Sequence, residues 1–217
     1  MSGIAAQTLQ DQERERQRIE DRRREQRHKT IMRVGLLHGA GYKELCLVRN
    51  ISAGGMMARV YRAMAVGETL SVELREGQLL SGTVAWSRDW YVGISFDAEI
   101  DVEDALATRW VSEFGHRPRL PRIDIDCPAR IRVGSRFYAA RLRNISQGGA
   151  KVQLFKPLAA WGDAALSLLD LPPLKSQIRW MFDDFVGLSF NERLPFEVLA
   201  LWLQDHRAIE EARAAEA

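Results

Sequence analysis

Two groups of residues in this 217-residue chain have the types and spacing for binding chemistry. The first is a run of four arginines, Arg22, Arg23, Arg24 and Arg27, set immediately before the first stretch with strand character. A guanidinium is planar, always charged and presents its donors as a fork, so it grips phosphate or carboxylate through two parallel hydrogen bonds. The second is the turn Asn50-Ile51-Ser52-Ala53-Gly54-Gly55. Asn50 and Ser52 supply short donors and acceptors, and Gly55 permits close backbone approach and a positive φ. No nucleophile–base set, metal-ligand cluster or Walker-type phosphate loop stands beside them, so no enzyme, cofactor or metal site is expected.

The elements that must position these groups are short strands. Thr30 to Leu37, with Ile31, Val34 and Leu37 apolar, Glu44 to Asn50, Met56 to Val60 and Glu68 to Leu74, with Leu70, Val72 and Leu74 on one face, read as strands. Gly39-Ala40-Gly41 and Gly54-Gly55 mark turns between them. Leu79 to Ser87 and Trp90 to Phe96 read as a hairpin around Arg88-Asp89, and short antiparallel strands at this spacing predict a small barrel. Helical spacing follows from Asp101 to Phe114.

The whole order then returns. Arg49-Asn50-Ile51-Ser52-Ala53-Gly54-Gly55 recurs as Arg143-Asn144-Ile145-Ser146-Gln147-Gly148-Gly149, 94 residues on and without a gap through Phe96 and Phe190. Trp86 maps onto Trp180, and Tyr91-Val92-Gly93-Ile94-Ser95-Phe96 onto Phe185-Val186-Gly187-Leu188-Ser189-Phe190. A fixed internal period decides the architecture before any strand is assigned, and here the period is the size of a domain. The expected strands of the second copy are Ile123 to Val133, Phe137 to Asn144, Ala150 to Leu154, Ala164 to Leu168, Leu174 to Trp180 and Phe185 to Phe190, with a helix from Phe196 to about Ala214. The chain is mainly β: two tandem six-stranded antiparallel barrels, each followed by a C-terminal helix. The expected division is a charged N-terminal helix over 1–21, barrel one over 22–114 and barrel two over 117–217.

Composition agrees with a globular protein, at 46% hydrophobic and 28% charged residues. The net charge of +2 and the mixing of Glu and Asp among the N-terminal arginines argue against a DNA or RNA partner. No apolar run approaches the roughly 20 residues of a membrane span, and the N-terminus lacks an apolar signal-peptide centre, so a cytoplasmic location is expected. Cys46 and Cys127 do not correspond in the repeat, so they are read as small buried apolar side chains in a reducing compartment. Trp86, Trp180, Phe96 and Phe190 are read as core or barrel-rim packing.

An arginine-rich segment, two strands, Asn-x-Ser-x-x-Gly, then Trp followed by Val-Gly-Ile-Ser-Phe: this resembles the PilZ domain. That family is a six-stranded barrel that binds the bacterial second messenger cyclic di-GMP. Its ligand motifs are an Arg-x-x-x-Arg arm before the first strand and an Asp/Asn-x-Ser-x-x-Gly turn after the second. The resemblance implies a cyclic di-GMP site made of Arg22, Arg23, Arg27, Asn50, Ser52 and Gly55. Arginine forks match the ligand's phosphates and the guanine O6/N7 edge, and their flat faces stack on a base. Arg14/Arg18 and Arg18/Arg22 share the arginine spacing, but only Arg23/Arg27 adjoins the first strand.

The second copy departs from the pattern. Asn144, Ser146 and Gly149 are intact, but Arg23 and Arg27 map to Arg117 and Pro121, and Arg119 and Arg122 lie nearby at the wrong spacing. A second, weaker site over Arg117, Arg119, Arg122, Asn144, Ser146 and Gly149 is the most that this copy offers. Otherwise its turn serves structure alone. The resemblance implies a signalling receptor that passes second-messenger level to a protein effector, with a homodimer through copy two as one arrangement. Its rivals are a PilZ-type adaptor that does not bind nucleotide and, more distantly, a small β-barrel RNA binder. The latter would need an aromatic stacking surface.

Overall fold

The computed structural model describes residues 31–75, 77–107 and 120–215. The charged segment 1–30, which carries the expected N-terminal helix, lies outside the described residues. So does 108–119, with the rest of the first expected helix and most of the linker.

Each copy closes into a six-stranded antiparallel barrel. In the first, β1 (Arg33–Gly39), β2 (Tyr42–Ser52), β3 (Gly55–Arg59), β4 (Thr69–Arg75), β5 (Gln78–Arg88) and β6 (Tyr91–Phe96) run in the spatial order β1-β2-β3-β6-β5-β4, and β4 pairs back onto β1. In the second, β7 (Ile123–Val133), β8 (Arg136–Ser146), β9 (Gly149–Leu154), β10 (Asp163–Ser167), β11 (Leu174–Phe182) and β12 (Phe185–Phe190) repeat the same circuit. Closure leaves no unpaired sheet edge, which is how a sheet this small avoids edge-to-edge association.

Strand alternation fills each barrel. Leu37, Cys46, Val48, Ile51, Val72, Val84 and Val92 are sealed in the first core, and Ile131, Leu142, Ile145, Val152, Leu166 and Val186 in the second. Cys46 and Cys127 are free and buried, as expected, and burial pushes the Cys46 thiol up to about 12. Part of the other face of β1 and β2 is buried as well. Leu36 and Leu45 pack into the core of the second copy, with Val34 against it.

Two helices complete the packing. The short α1 (Val102–Leu106) starts on the Asp101 side chain, which accepts from the Asp104 N–H at 3.0 Å. It buries Val102 and Ala105 on barrel one, and the Arg33 guanidinium donates to the Leu106 carbonyl at 2.6 Å. The long α2 (Phe196–Ala215) lays Leu199, Trp202 and Leu203 on barrel two, with the Trp202 indole N–H donating to the Leu169 carbonyl at 2.8 Å. α2 also touches barrel one. Arg207 pairs with Glu44, only 6% exposed, and donates to the Lys43 carbonyl; Glu197 pairs with Arg59; and Phe196 meets the Tyr61 ring edge-on. No helix among the described residues is long and apolar enough to cross a membrane.

The hairpin tip sits one residue later than the sequence predicts. Asp89 and Trp90 occupy it with φ of 52° and 65°, the left-handed pair of a type I′ turn, whose twist matches the flanking strands.

Candidate ligand-binding site

The Asn-x-Ser-x-x-Gly turn is built by the end of β2 and the start of β3. Val48 and Ile51 point into the core, at 0% and 1% exposure, yet two residues rather than one pair of alternating positions lie between them. A β-bulge between Val48 and Asn50 makes the difference: it adds one residue to β2 and leaves both Arg49 and Asn50 half-buried on the outer face, beside Ser52. The same bulge recurs in β8 between Leu142 and Asn144, leaving Arg143 and Asn144 outside.

Ser52 closes the turn by donating its hydroxyl to the Gly55 carbonyl at 3.2 Å, and Ser146 does the same to Gly149 at 3.2 Å. Gly55 and Gly149 are required by proximity and not by conformation. Neither has a positive φ, but a Cβ on Gly55 would lie 2.4 Å from the Ile94 carbonyl oxygen, and one on Gly149 would lie 2.2 Å from that of Leu188. Of the two roles expected for Gly55, close backbone approach and a positive φ, only the first is observed: β6 comes too close for any side chain.

Arg22, Arg23 and Arg27 lie outside the described residues, as do Arg117 and Arg119. The described chain nevertheless begins beside the motif, because the Ile31 N–H donates to the Arg49 carbonyl at 3.3 Å. Segment 22–27 is therefore joined to the barrel four residues upstream of a direct contact with β2. Arg122 is exposed just ahead of β7.

The two turns differ in what surrounds them. In copy one, a Cβ placed on Gly54 would meet nothing within 4 Å among the described residues. In copy two, one on Gly148 would lie 3.1 Å from Leu120, which comes from the segment aligned with the arginine arm. Ser146 is only 4% exposed there, and its oxygen also accepts from the Gly148 N–H at 3.3 Å. A polar cluster sits next to it. The Asp126 carboxylate bridges Arg141 and Arg143, at 2.5 Å to each, and Arg143 also donates to Gln153 at 2.9 Å through Nε. Gln153 in turn donates to Asp184. The Arg141 hydrogen bond, helped by Arg143, holds the Asp126 carboxyl below its usual range.

Of core and barrel-rim packing, the two readings offered for the repeated tryptophans, the structure excludes the first. Trp86 and Trp180 are 43% and 41% exposed, and they lie flat on the outside of β6 and β12. A Cβ on Gly93 would lie 2.0 Å from the Trp86 indole nitrogen, and Gly187 faces Trp180 in the same way, which accounts for the repeated Trp and Gly. Phe96 and Phe190, at 8% each, are core as expected. Sequence reasoning passed over Arg49 and Asp126; the signal for Arg49 was its retention at the head of both motif copies.

Residues 21–113 match the family model of the PilZ domain; the match spans the first barrel, and the second barrel repeats its topology. Among solved structures it is similar to the Borreliella burgdorferi PlzA protein in complex with c-di-GMP, at 13% identity and a TM-score of 0.36 over 77% of this chain and 84% of that one. It is also similar to YcgR in complex with c-di-GMP from Escherichia coli (14% identity, TM-score 0.32, 84% and 86% of the two chains) and to the MrkH–c-di-GMP complex of K. pneumonia (12%, 0.33, 84% and 90%). A comparison with curated proteins gave no match.

Proposed function

We propose that this chain is a cyclic di-GMP receptor in which barrel one holds the nucleotide and barrel two does not. The observation that carries this reading is the contrast between the two turns. The PilZ match covers the first, with its arginine segment, and none of the described residues lies against Gly54, whereas Leu120 lies against the second. Arg22, Arg23 and Arg27 serve as the phosphate- and guanine-gripping arm, and Asn50 and Ser52 meet a base edge. Gly55 keeps β3 and β6 close enough for that turn to form. Asn144, Ser146 and Gly149 do structural work, and Arg117, Arg119 and Arg122 do not replace the missing arm. We divide the chain accordingly, into a charged N-terminal segment (1–21), a sensing barrel that includes the arginine arm (22–114) and an output barrel (117–217).

Ordering the arm against barrel one is the step at which ligand binding becomes a signal. Barrel two and α2 present the surface that a protein effector, or a second copy, reads: Trp180, Phe182, Val198 and Leu201 are exposed there. Titrating the full chain with cyclic di-GMP in a calorimeter tests the reading. Saturable binding at one site per chain, filled by one nucleotide or a stacked pair, supports it. Absence of heat and of competition at millimolar ligand would leave the adaptor that binds no nucleotide.

A further inference from the structure

We propose that Arg49 is a further ligand-binding residue of barrel one, gripping a phosphate of the bound cyclic dinucleotide. The inference rests on the receptor reading above and adds to it a residue outside both arginine arm and Asn-x-Ser-x-x-Gly turn. Three observations carry it.

The first is direction. Arg49 follows the inward-facing Val48 and so faces outward, and the bulge between Val48 and Asn50 brings Asn50, with Ser52, to the same outer face. The second is availability. Arg49 is half-buried, and among the described residues its guanidinium has no hydrogen-bond or ion-pair partner. A cation held part-way out of water and left uncompensated invites an anion.

The third is the repeat itself, which shows what this position binds when an anion is within reach. Arg143, its counterpart in copy two, is closed on the Asp126 carboxylate through Nη1 at 2.5 Å. Asp126 stands immediately before Cys127, and the aligned residue in copy one is Met32, immediately before Arg33. Met32 is 73% exposed and has no charge to offer. Copy two therefore carries its own anion where the described residues of copy one offer Arg49 none. A carboxylate and a phosphate monoanion present the same paired oxygens to a guanidinium fork, so Asp126 occupies the place of a ligand phosphate.

The test uses the full chain and cyclic di-GMP. Arg49→Ala should weaken binding about tenfold or more, the scale of a charge-assisted hydrogen bond. Met32→Asp supplies barrel one with the internal carboxylate of barrel two and should weaken binding similarly. The double variant should bind no more weakly than the worse single one, because both changes act on the same charge. Arg88→Ala, at an exposed hairpin arginine paired with Asp89, should bind like the parent chain. Met32 is exposed, so Met32→Asp keeps the test open even where Arg49→Ala fails to fold. Parent-like binding by both Arg49→Ala and Met32→Asp would overturn the assignment of Arg49. A parent chain that does not bind at all would overturn the receptor reading beneath it.

Discussion

Ser146 donates to the Gly149 carbonyl at 3.2 Å and accepts from the Gly148 N–H at 3.3 Å, so its hydroxyl holds both ends of one turn. Ser52 makes the matching bond to Gly55 but is more exposed. This explains why a motif associated with ligand binding survives in a copy without the arginine arm: the fold uses it. Ser146→Ala leaves a half-buried N–H unpaired and should cost about 1–2 kcal/mol in urea unfolding. Ser52→Ala should cost about 0.5–1 kcal/mol, since water can reach the freed groups.

The glycines give a sharper contrast. Gly55→Ala forces a methyl to within 2.4 Å of the Ile94 carbonyl oxygen, and a strand pair in a closed barrel cannot move apart locally. A loss of about 1–3 kcal/mol is expected, as for overpacked cores. Gly54→Ala, one residue earlier, meets nothing within 4 Å among the described residues and should stay within about 0.5 kcal/mol of the parent. Thermal unfolding followed by circular dichroism compares the two.

The expected effects of the arm differ by position along one arginine-rich segment. Arg23→Ala or Arg27→Ala should weaken cyclic di-GMP binding by about 1.5–3 kcal/mol, and Arg14→Ala or Arg18→Ala by little. Calorimetry on the four variants reads this directly. Equal affinities across all four would mean that the arm is not the segment next to β1.

α2 fastens the barrels through two ion pairs of unequal worth. Arg207 meets Glu44, whose side chain is 8% exposed, so Arg207→Ala strands a carboxylate away from water and should cost about 1–3 kcal/mol. Glu197 and Arg59 are 62% and 38% exposed, and Glu197→Ala should cost about 0–1 kcal/mol. Urea unfolding of both variants separates the pairs, and a larger loss for Glu197→Ala would reverse the ranking.

The barrels were legible because repetition and period-2 alternation are local signals. The bounds expected for β7 and β12 agree with those observed, and other strands shift by a few residues, as at β2, which extends to Ser52. What was not legible depends on contacts between strands distant in sequence. A bulge changes which side Asn50 takes, since alternation from Val48 alone would send it inward. Trp86 reads as core or barrel-rim packing, and which of the two is decided by Gly93 on the next strand, which leaves a flat place outside for its ring. Asp126 looks like an ordinary polar strand residue until β8 brings Arg141 and Arg143 to it. The arrangement of α2 against barrel one, through Glu44 and Arg59, leaves no periodic trace at all.

The claim that one turn binds and the other only folds is tested most directly by calorimetric titration of Ser52→Ala and Ser146→Ala with cyclic di-GMP. The parent chain should titrate at one site. Ser52→Ala should weaken that site, and Ser146→Ala should leave affinity and stoichiometry unchanged while lowering stability. Loss of binding in Ser146→Ala with binding retained in Ser52→Ala would contradict the account and move the site to barrel two.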